Sequence, residues 1–326
     1  MTGLPLEFPA FRPRAPWWGP DLQTLRNFFS ARTGGRPKLC GERLLLEMRD
    51  GSGDRLAALY TQAAGDKPLV VLIHGLTGCE TSMNMVRAAV HHHGLGYPVL
   101  RLNLRGAGPS RATCKGDYHA GCSRDLADAL SSVIEAVPEL SRNGLYISAV
   151  SLGANIMIKF LAEYGADFPV RAAASVSAPI DLAASSRSVM RRRNALYHRW
   201  LLDRMKIDCG GSDLTSVQRA AMARSRTVYE FDDVFLAPRH GFEGADHYYE
   251  EAHGARFLDA VSTPTLVIHA RNDPWIPAAA YLANDWSRNE MLTPLLPRAG
   301  GHVGFHAPGH EASWHDRCAA AFFAAH

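Results

Sequence analysis

The stretch that decides the fold is "LYISAVSLGAN", residues 145–155. A run of apolar and small residues leads directly to Ser151, and the small residues Gly153 and Ala154 follow it. A short, continuous apolar run is typical of a strand that is buried on both faces. The residues after Ser151 follow a helical pattern to about Tyr164. Ser151 is therefore predicted to occupy a sharp turn between a buried strand and a helix.

A serine in such a turn is placed as a nucleophile, exposed above the sheet with a helix N-terminus beneath it. The turn brings the residues two before and two after the serine against other backbone, so both must be small. They are Ala149 and Gly153. The usual pattern is G-x-S-x-G, and Ala149 departs from its first glycine. The alternative is a serine that only caps a buried helix.

Apolar strand-like runs alternate with helical patterns on both sides of this stretch. The alternation predicts an α/β fold with a mostly parallel, eight-stranded type of sheet and helices on both faces. The further strand-like runs are found at residues 42–62 (two strands and a turn), 68–75, 97–103, 172–177 and 263–270, and helical patterns span 82–93 and 123–137.

The alternation breaks between Asp181 and Val261. An insertion there is predicted to be a helical cap over the carboxyl edge of the sheet, where ligands bind in such folds. The predicted organisation is a first part of the core at 1–180, the cap at 181–261 and a second part of the core at 262–326. Aromatic residues of the cap are expected to bind the substrate: Tyr197, Trp200, Phe235, Tyr248 and Tyr249.

A serine nucleophile needs a base and a group that orients the base. In this fold the chain order is nucleophile, acid, histidine. Asp273 follows an apolar strand in "HARNDPWIP", and His302 follows the next strand-like run in "RAGGHVGF". Ser151, Asp273 and His302 are therefore the predicted catalytic residues, although Asp273 before a proline is also compatible with a simple turn. His306 and His310 are the nearest alternatives for the base and are expected to be structural.

Acyl transfer also needs donors for the developing oxyanion. One is expected to be the backbone N–H of Leu152, directly after the nucleophile. The other is expected to be the N–H of Leu76, in the loop "HGLTGCETS" at residues 74–82.

The composition, 326 residues with 47% hydrophobic and 21% charged residues, is that of an ordinary globular protein. The formal net charge of +3 does not indicate nucleic-acid binding. The sequence has no run of about 18 apolar residues, so no stable membrane insertion is expected. The start lacks a secretory pattern, and a cytoplasmic location is expected.

The six cysteines are scattered without paired spacing, and the three consecutive histidines at 91–93 face different directions on a helix. No metal and no organic cofactor is therefore expected. The basic helical segment at 187–206 is expected to present a solvated face, with contact to anionic lipid as the alternative.

Several motifs are distributed over nearly the whole chain: "WWGPDLQTL", "HGLTG", "LRLNLRGAGPSR", "YHAGCSRDL", "VSLGAN", "EFDDVFLAPRHGF", the tyrosine pair at 248–249, "TPTLVIHARNDP" and "GGHVGF". With these motifs the chain resembles the YheT-like group of α/β-hydrolases, relatives of the plant embryogenesis-associated hydrolases and of yeast medium-chain ester enzymes. The resemblance implies that Ser151 is the nucleophile, Asp273 the acid and His302 the base. Departures from the usual pattern are Ala149, Ala154 and Cys79.

The predicted function is a serine hydrolase, a carboxylesterase that cleaves carboxylic esters of short to medium acyl chains. Its partner is a small-molecule ester, with lipid-derived esters included. Two alternatives remain: acyl transfer to an alcohol, and a non-catalytic binding protein on a hydrolase scaffold. The pattern specifies neither the physiological substrate nor the oligomeric state.

Overall fold

The computed structural model describes residues 7–33 and 37–326. These residues contain an eight-stranded sheet with the strand order β1-β2-β4-β3-β5-β6-β7-β8. Strand β2 is antiparallel to both of its neighbours, and β3 to β8 are parallel. The predicted mostly parallel eight-stranded sheet is confirmed. The strands are β1 Glu42–Glu47, β2 Arg55–Thr61, β3 Leu69–Ile73, β4 Val99–Leu102, β5 Leu145–Val150, β6 Val170–Val176, β7 Thr265–Ile268 and β8 Leu292–Leu295.

Helices connect the strands and cover both faces of the sheet, as predicted. The α-helices are α1 Pro20–Thr33, α2 Met83–Gly94, α3 Ser123–Ala136, α4 Leu152–Glu163, α5 Leu182–Val189, α6 Ala195–Gly210, α7 Ser216–Arg224, α8 Val228–Phe231, α9 Ala237–Arg239, α10 Ala245–Ala252, α11 Ala279–Ala283 and α12 Trp314–Ala324. A π-helical turn, Asp232–Leu236, joins α8 to α9. Short 3₁₀ turns lie at Gly108–Ala112, Pro138–Leu140, Gly165–Asp167, Arg192–Asn194, Gly254–Ala260 and Trp286–Arg288.

The central strands are apolar on both faces because a separate core lies on each side of the sheet. Successive side chains of a strand point to opposite faces. Ile147 of β5 packs with Leu130 of α3 and Phe160 of α4 on one side. Its neighbour Tyr146 packs on the other side with Phe323 of α12, ring to ring at 4.6 Å. Apolar cores therefore cover both faces of the sheet, and the carboxyl ends of its strands are not part of either face.

The segment between β6 and β7 contains α5 to α10 and, among the described residues, no strand. Its helices form a third apolar cluster that includes Met205, Phe231 and Tyr249. Leu152, the first residue of α4, belongs to the same cluster. Leu258, near the end of the segment, packs instead in the core beside α3 and α4. The helices up to α10 thus lie against the turn that carries Ser151.

Within the described ranges of the chain, we find no helix with both the length and the apolar character needed to cross a bilayer.

Candidate functional site

Ser151 stands at the end of β5 with backbone angles φ 53° and ψ −126°. This conformation is strained for a residue with a side chain. The turn is held by the Ser151 N–H, which donates to the carbonyl of Val176 at 2.8 Å. A Cβ on Gly153 would lie 2.2 Å from the His74 carbonyl oxygen, and one on Gly75 would lie 2.8 Å from the Ser151 Cβ. The glycines are required because backbone segments approach so closely here.

Ser151, His302 and Asp273 lie in a hydrogen-bonded chain. His302 Nε2 is 3.0 Å from Ser151 Oγ, and His302 Nδ1 is 2.8 Å from Asp273 Oδ2. The Asp273 carboxylate accepts hydrogen bonds, so Nδ1 carries the proton and Nε2 is left to accept from the serine hydroxyl. The structure therefore brings these three predicted residues together in the arrangement that activates a serine.

The Asp273 carboxylate is held ionised in a buried place. Its side chain is 0% exposed, and its Oδ1 accepts from the backbone N–H groups of Trp275 and Ile276 at 2.8 and 2.9 Å. Burial alone would raise the pKa of Asp273, but the electrostatic interaction and the hydrogen bond with His302, together with the backbone N–H of Ile276, outweigh it and hold the pKa below its ordinary value. The Trp275 ring stacks on the imidazole of His302 at 4.6 Å and restricts its rotation.

Helix α1 positions the histidine loop, which sequence reasoning did not anticipate. The His302 N–H donates to Thr24 Oγ1 at 2.8 Å. Gln23 exchanges hydrogen bonds with the backbone of His306, accepting at 2.7 Å from its N–H. Gly301 has φ +62°, and a Cβ there would lie 2.5 Å from the Pro20 carbonyl oxygen. Thr24 lies in "WWGPDLQTL", one of the motifs that carry the family resemblance, and that motif is the sequence signal near this contact.

His306 and His310 are engaged elsewhere. His306 is buried, and its Nδ1 lies 3.1 Å from Nη1 of Arg26. Burial, with the charge of Arg26 added, lowers the pKa of His306 well below its ordinary value, so the ring is neutral. His310 is exposed and contacts Arg317. His302 is thus the one of the three whose side chain contacts Ser151.

The loop that carries Leu76 is held by His74 and Tyr118. His74 Nε2 accepts from the N–H of Leu104 at 3.1 Å, so its Nδ1 carries the proton and donates to the carbonyl of Gly75 at 2.7 Å. Burial lowers the pKa of His74 to about 4, which keeps the ring neutral. The hydroxyl of Tyr118 accepts from the N–H of Thr77 at 2.8 Å.

Leu76 and Leu152 both border the cavity above Ser151. In the described part of the chain, neither backbone N–H donates to a protein acceptor. Leu152 is the first residue of α4, where N–H groups have no intrahelical acceptor. Both amides are therefore available to an oxygen of a bound ligand.

A cavity of about 320 Å³ opens above Ser151 and His302. Of the predicted substrate-binding residues, Trp200, Tyr248 and Tyr249 line it. Tyr197 and Phe235 do not. The apolar side chains that line it are Leu182, Val189, Leu201, Met205, Val228, Leu236 and Ile276.

The structure places the other two predicted aromatics, Tyr197 and Phe235, outside the cavity lining. Tyr197 packs edge-on against Trp275 and donates to Asp21 at 3.1 Å. Phe235 is 1% exposed and packs against Phe231 at 5.0 Å, within the apolar cluster of the segment between β6 and β7. Tyr197 thus packs on Trp275, which lines the cavity, whereas Phe235 packs on Phe231, and neither Tyr197 nor Phe235 is among the lining residues.

A buried carboxyl group from the helical segment between β6 and β7 lines the cavity and was missed from sequence. Asp232 accepts a hydrogen bond from the Tyr249 hydroxyl at 2.6 Å, and that hydroxyl lies 3.1 Å from Ser186 Oγ. Burial raises the pKa of Asp232 to about 7, and the Tyr249 hydrogen bond only partly offsets this. The π-helical turn that begins at Asp232 points the side chain inward, a device that often marks functional positions.

Comparisons with known proteins agree with this architecture. A family model for the alpha/beta hydrolase fold matches residues 68–217. A solved esterase of Pyrococcus furiosus superposes with a TM-score of 0.60 over 97% of this chain and 98% of its own, at 16% identity. At that identity the likeness concerns the fold alone.

Two curated relatives are similar in sequence. The Escherichia coli K12 protein named "Putative esterase YheT" is 31% identical over 273 residues, which are 80% of this chain and 77% of that protein. The Saccharomyces cerevisiae protein named "Medium-chain fatty acid ethyl ester synthase/esterase 2" is 27% identical over 289 residues, covering 79% of this chain. The match spans 62% of the yeast protein's length.

Proposed function

Since this chain belongs to the YheT-like family of α/β-hydrolases and is a carboxylic ester hydrolase, we propose that it cleaves small-molecule esters of short to medium acyl chains through an acyl-enzyme on Ser151. The observation that carries the proposal is the hydrogen-bonded chain from Ser151 through His302 to Asp273. It lies at the floor of a largely apolar cavity, where an acyl chain can be bound and water excluded.

In the first half of the proposed reaction, Ser151 Oγ attacks the ester carbonyl while His302 Nε2 takes the serine proton. The ionised Asp273 stabilises the imidazolium that forms. The N–H groups of Leu152 and Leu76 donate to the oxyanion of the tetrahedral intermediate. Collapse of this intermediate breaks the bond to the alcohol, which leaves with the proton from His302.

In the second half, His302 removes a proton from a water molecule, and the hydroxide attacks the acyl-enzyme carbonyl. The tetrahedral intermediate again uses the two amide donors, and its collapse releases the carboxylic acid. Ser151 Oγ recovers its proton from His302. The same two donors and the same base thus serve both halves of the reaction.

A series of p-nitrophenyl esters tests this function. We expect kcat/KM to rise from acetyl to octanoyl as apolar contacts in the cavity are made, and to fall at palmitoyl, which exceeds the cavity. The matched control is Ser151→Ala, which should lose activity by about 10⁴-fold or more on every ester. Turnover that is independent of acyl length, or greatest on palmitoyl, would refute the proposed chain-length class.

A second candidate is transfer of the acyl group to an alcohol. The observation that favours it is the yeast relative's name, which includes ester synthase activity. The acyl-enzyme can meet an alcohol as well as water. Turnover of an octanoyl ester in the presence of ethanol distinguishes the two, because a transferase forms ethyl octanoate in preference to octanoic acid.

A further inference from the structure

Helix α6 carries apolar side chains on two opposite faces. Its inward face buries Leu201, Leu202 and Met205 in the cap. At 100° per residue, Leu196, Trp200 and Ile207 fall within about 40° of one another on the outward face. Their exposed fractions are 86%, 42% and 63%. A helix that is apolar on its outer face as well indicates a surface that contacts something other than water.

Helix α1 extends this apolar surface. Asp21 accepts hydrogen bonds from Arg193 and Tyr197 at 3.0 and 3.1 Å, which hold α1 beside the start of α6. The residue after Asp21, Leu22, is 43% exposed, and Trp18 is 62% exposed. Exposed apolar side chains thus lie on α1 and in the segment directly before it, in the part of the chain that is held beside the start of α6.

Positive charge surrounds the apolar side chains. On α6, Arg199 and Arg204 are exposed on either side of the outward stripe. Arg191 and Arg192 are exposed directly before the helix. The exposed carboxylate of Asp203 lies within the same face, so the arginines outnumber the acids. A narrow apolar stripe flanked by arginines is the chemistry that suits the boundary of an anionic lipid layer.

The surface also adjoins the opening of the cavity. Trp200 lines the cavity and is also 42% exposed, so it stands at the opening. Thr24 and Asn27 of α1 line the cavity from the other helix. A layer that contacts both helices would therefore face the entrance to Ser151.

We propose that this docking face, formed by Trp18, Leu22, Leu196, Trp200 and Ile207 with the arginines around them, binds reversibly to an anionic lipid surface. Uptake of an ester from that surface into the cavity rests on the proposed function, whereas the binding itself does not. The sequence analysis expected a solvated basic face, with contact to anionic lipid as the alternative, and the exposed apolar side chains between the arginines support the alternative.

Sedimentation of the full chain with lipid vesicles tests the binding. We expect wild type to bind vesicles of phosphatidylcholine mixed with phosphatidylglycerol, and to bind pure phosphatidylcholine weakly. The double variant Leu196→Ser/Ile207→Ser and the triple variant Arg191→Gln/Arg192→Gln/Arg199→Gln should each reduce binding by at least about tenfold. Val217→Ser is the matched control, since Val217 is 74% exposed on α7 and lies off the docking face.

Thermal melts should first establish that the variants fold. Unchanged binding by both surface variants, or no binding by wild type, would overturn the proposal. Light scattering tests whether a second copy of the chain occupies this face instead. If wild type is a dimer that does not bind vesicles, and Leu196→Ser/Ile207→Ser is a monomer, the face is an interface between two copies and the proposal is wrong.

Hydrolysis rates on a vesicle-embedded ester and on a dissolved ester distinguish a failure of the docking proposal from a failure of the proposed function. The double variant should lose activity on an octanoyl ester embedded in anionic vesicles, by about tenfold, and retain wild-type turnover of dissolved p-nitrophenyl acetate. Absence of turnover on both substrates by wild type would refute the proposed function and leave the vesicle-binding result standing. Equal loss on both substrates by the double variant would refute the docking role.

Discussion

The side chain of Ser151 lies above the sheet because close packing around its backbone keeps the residue in a strained conformation. The positive φ of Ser151 costs energy that the surrounding packing must offset. Gly75 and Gly153 supply that packing, since each lets another backbone segment come into direct contact. Ala149, the departure from the usual motif, is buried in β5 with 0% exposure and fits within the core.

Gly153→Ala should therefore damage both stability and activity. The new methyl would meet the His74 carbonyl oxygen, which is backbone and cannot move without shifting the loop that bears Leu76. We expect a loss of roughly 1–3 kcal/mol in the free energy of unfolding, measured by urea denaturation, and a lower kcat on p-nitrophenyl butyrate. Gly94→Ala is the control, because nothing lies within 4 Å of its Cβ position at the end of α2. A variant at Gly153 as stable and active as wild type would contradict the packing argument.

Asp232 should make stability depend on pH. Its pKa is about 7 in the folded protein, compared with a reference value of 3.8. Between these values the folded state retains a proton that the unfolded state has lost, so the stability that Asp232 contributes falls as pH rises through that window. Asp232→Asn removes this titration. The free energy of unfolding of the variant, relative to that of wild type, should therefore be higher at pH 8 than at pH 5, by about a few kcal/mol. Urea unfolding at both pH values measures the difference, and a pH-independent difference would argue against the buried carboxyl.

At the level of elements, Arg105 joins the loop after β4 to the residue before β2 and to α3. It is 7% exposed and pairs with Asp54 at 2.8 Å and with Asp125 at 2.8 Å. Burial would lower the pKa of Arg105, but the hydrogen bonds and charges of these carboxylates raise it above its ordinary value. Arg105, within the stretch "NLRGAGPS" at residues 103–110, thus acts as a clamp between these segments.

Removing the clamp should be costly. Arg105→Met leaves buried carboxylates without their partner, and we expect a loss of about 3–5 kcal/mol in unfolding free energy. Arg288→Met breaks an ion pair with Asp259 in which both side chains are largely exposed, at 66% and 47%, and should cost less than about 1 kcal/mol. Denaturation of the two variants side by side measures the contrast. Similar losses would mean that the Arg105 cluster contributes no more than a surface pair.

The cap helices are proposed to select the acyl chain, and Met205 tests this. It is 5% exposed and lines the cavity from α6. Met205→Ala enlarges the cavity and should shift the ratio of kcat/KM for decanoyl over butyryl esters toward the longer chain, by about 10-fold. Val217→Ala, a change of an exposed cap residue, should leave the ratio unchanged. A uniform loss across all chain lengths would indicate that the cap does not select.

At the scale of the whole molecule, local patterns predicted most of the architecture. The apolar runs marked the central strands because a strand covered on both faces needs no polar side chain. The resemblance predicted the family correctly. The order of Ser151, Asp273 and His302 along the chain predicted the hydrogen-bonded contacts among these three residues.

Contacts between distant segments were not predictable in this way. Phe235 and Tyr249 look equivalent in sequence, yet a π-helical turn directs Phe235 into the cap core while Tyr249 borders the cavity. The hydrogen bond from His302 to Thr24 joins residues 278 positions apart. No periodicity encodes such a bond, since it depends on how α1 packs against the completed sheet.

The central claim is that Ser151 is the nucleophile of an acyl-enzyme. Its most direct test is reaction of the protein with a fluorophosphonate, followed by mass spectrometry of the digested peptides. We predict one phosphonyl group per chain, located on Ser151, with complete loss of esterase activity and no labelling of Ser151→Ala. The variant His302→Ala should react with the fluorophosphonate at least about 10³-fold more slowly than wild type. Folded His306→Ala should react at close to the wild-type rate. Labelling on a different residue, or esterase activity above a tenth of wild type in Ser151→Ala, would contradict the account.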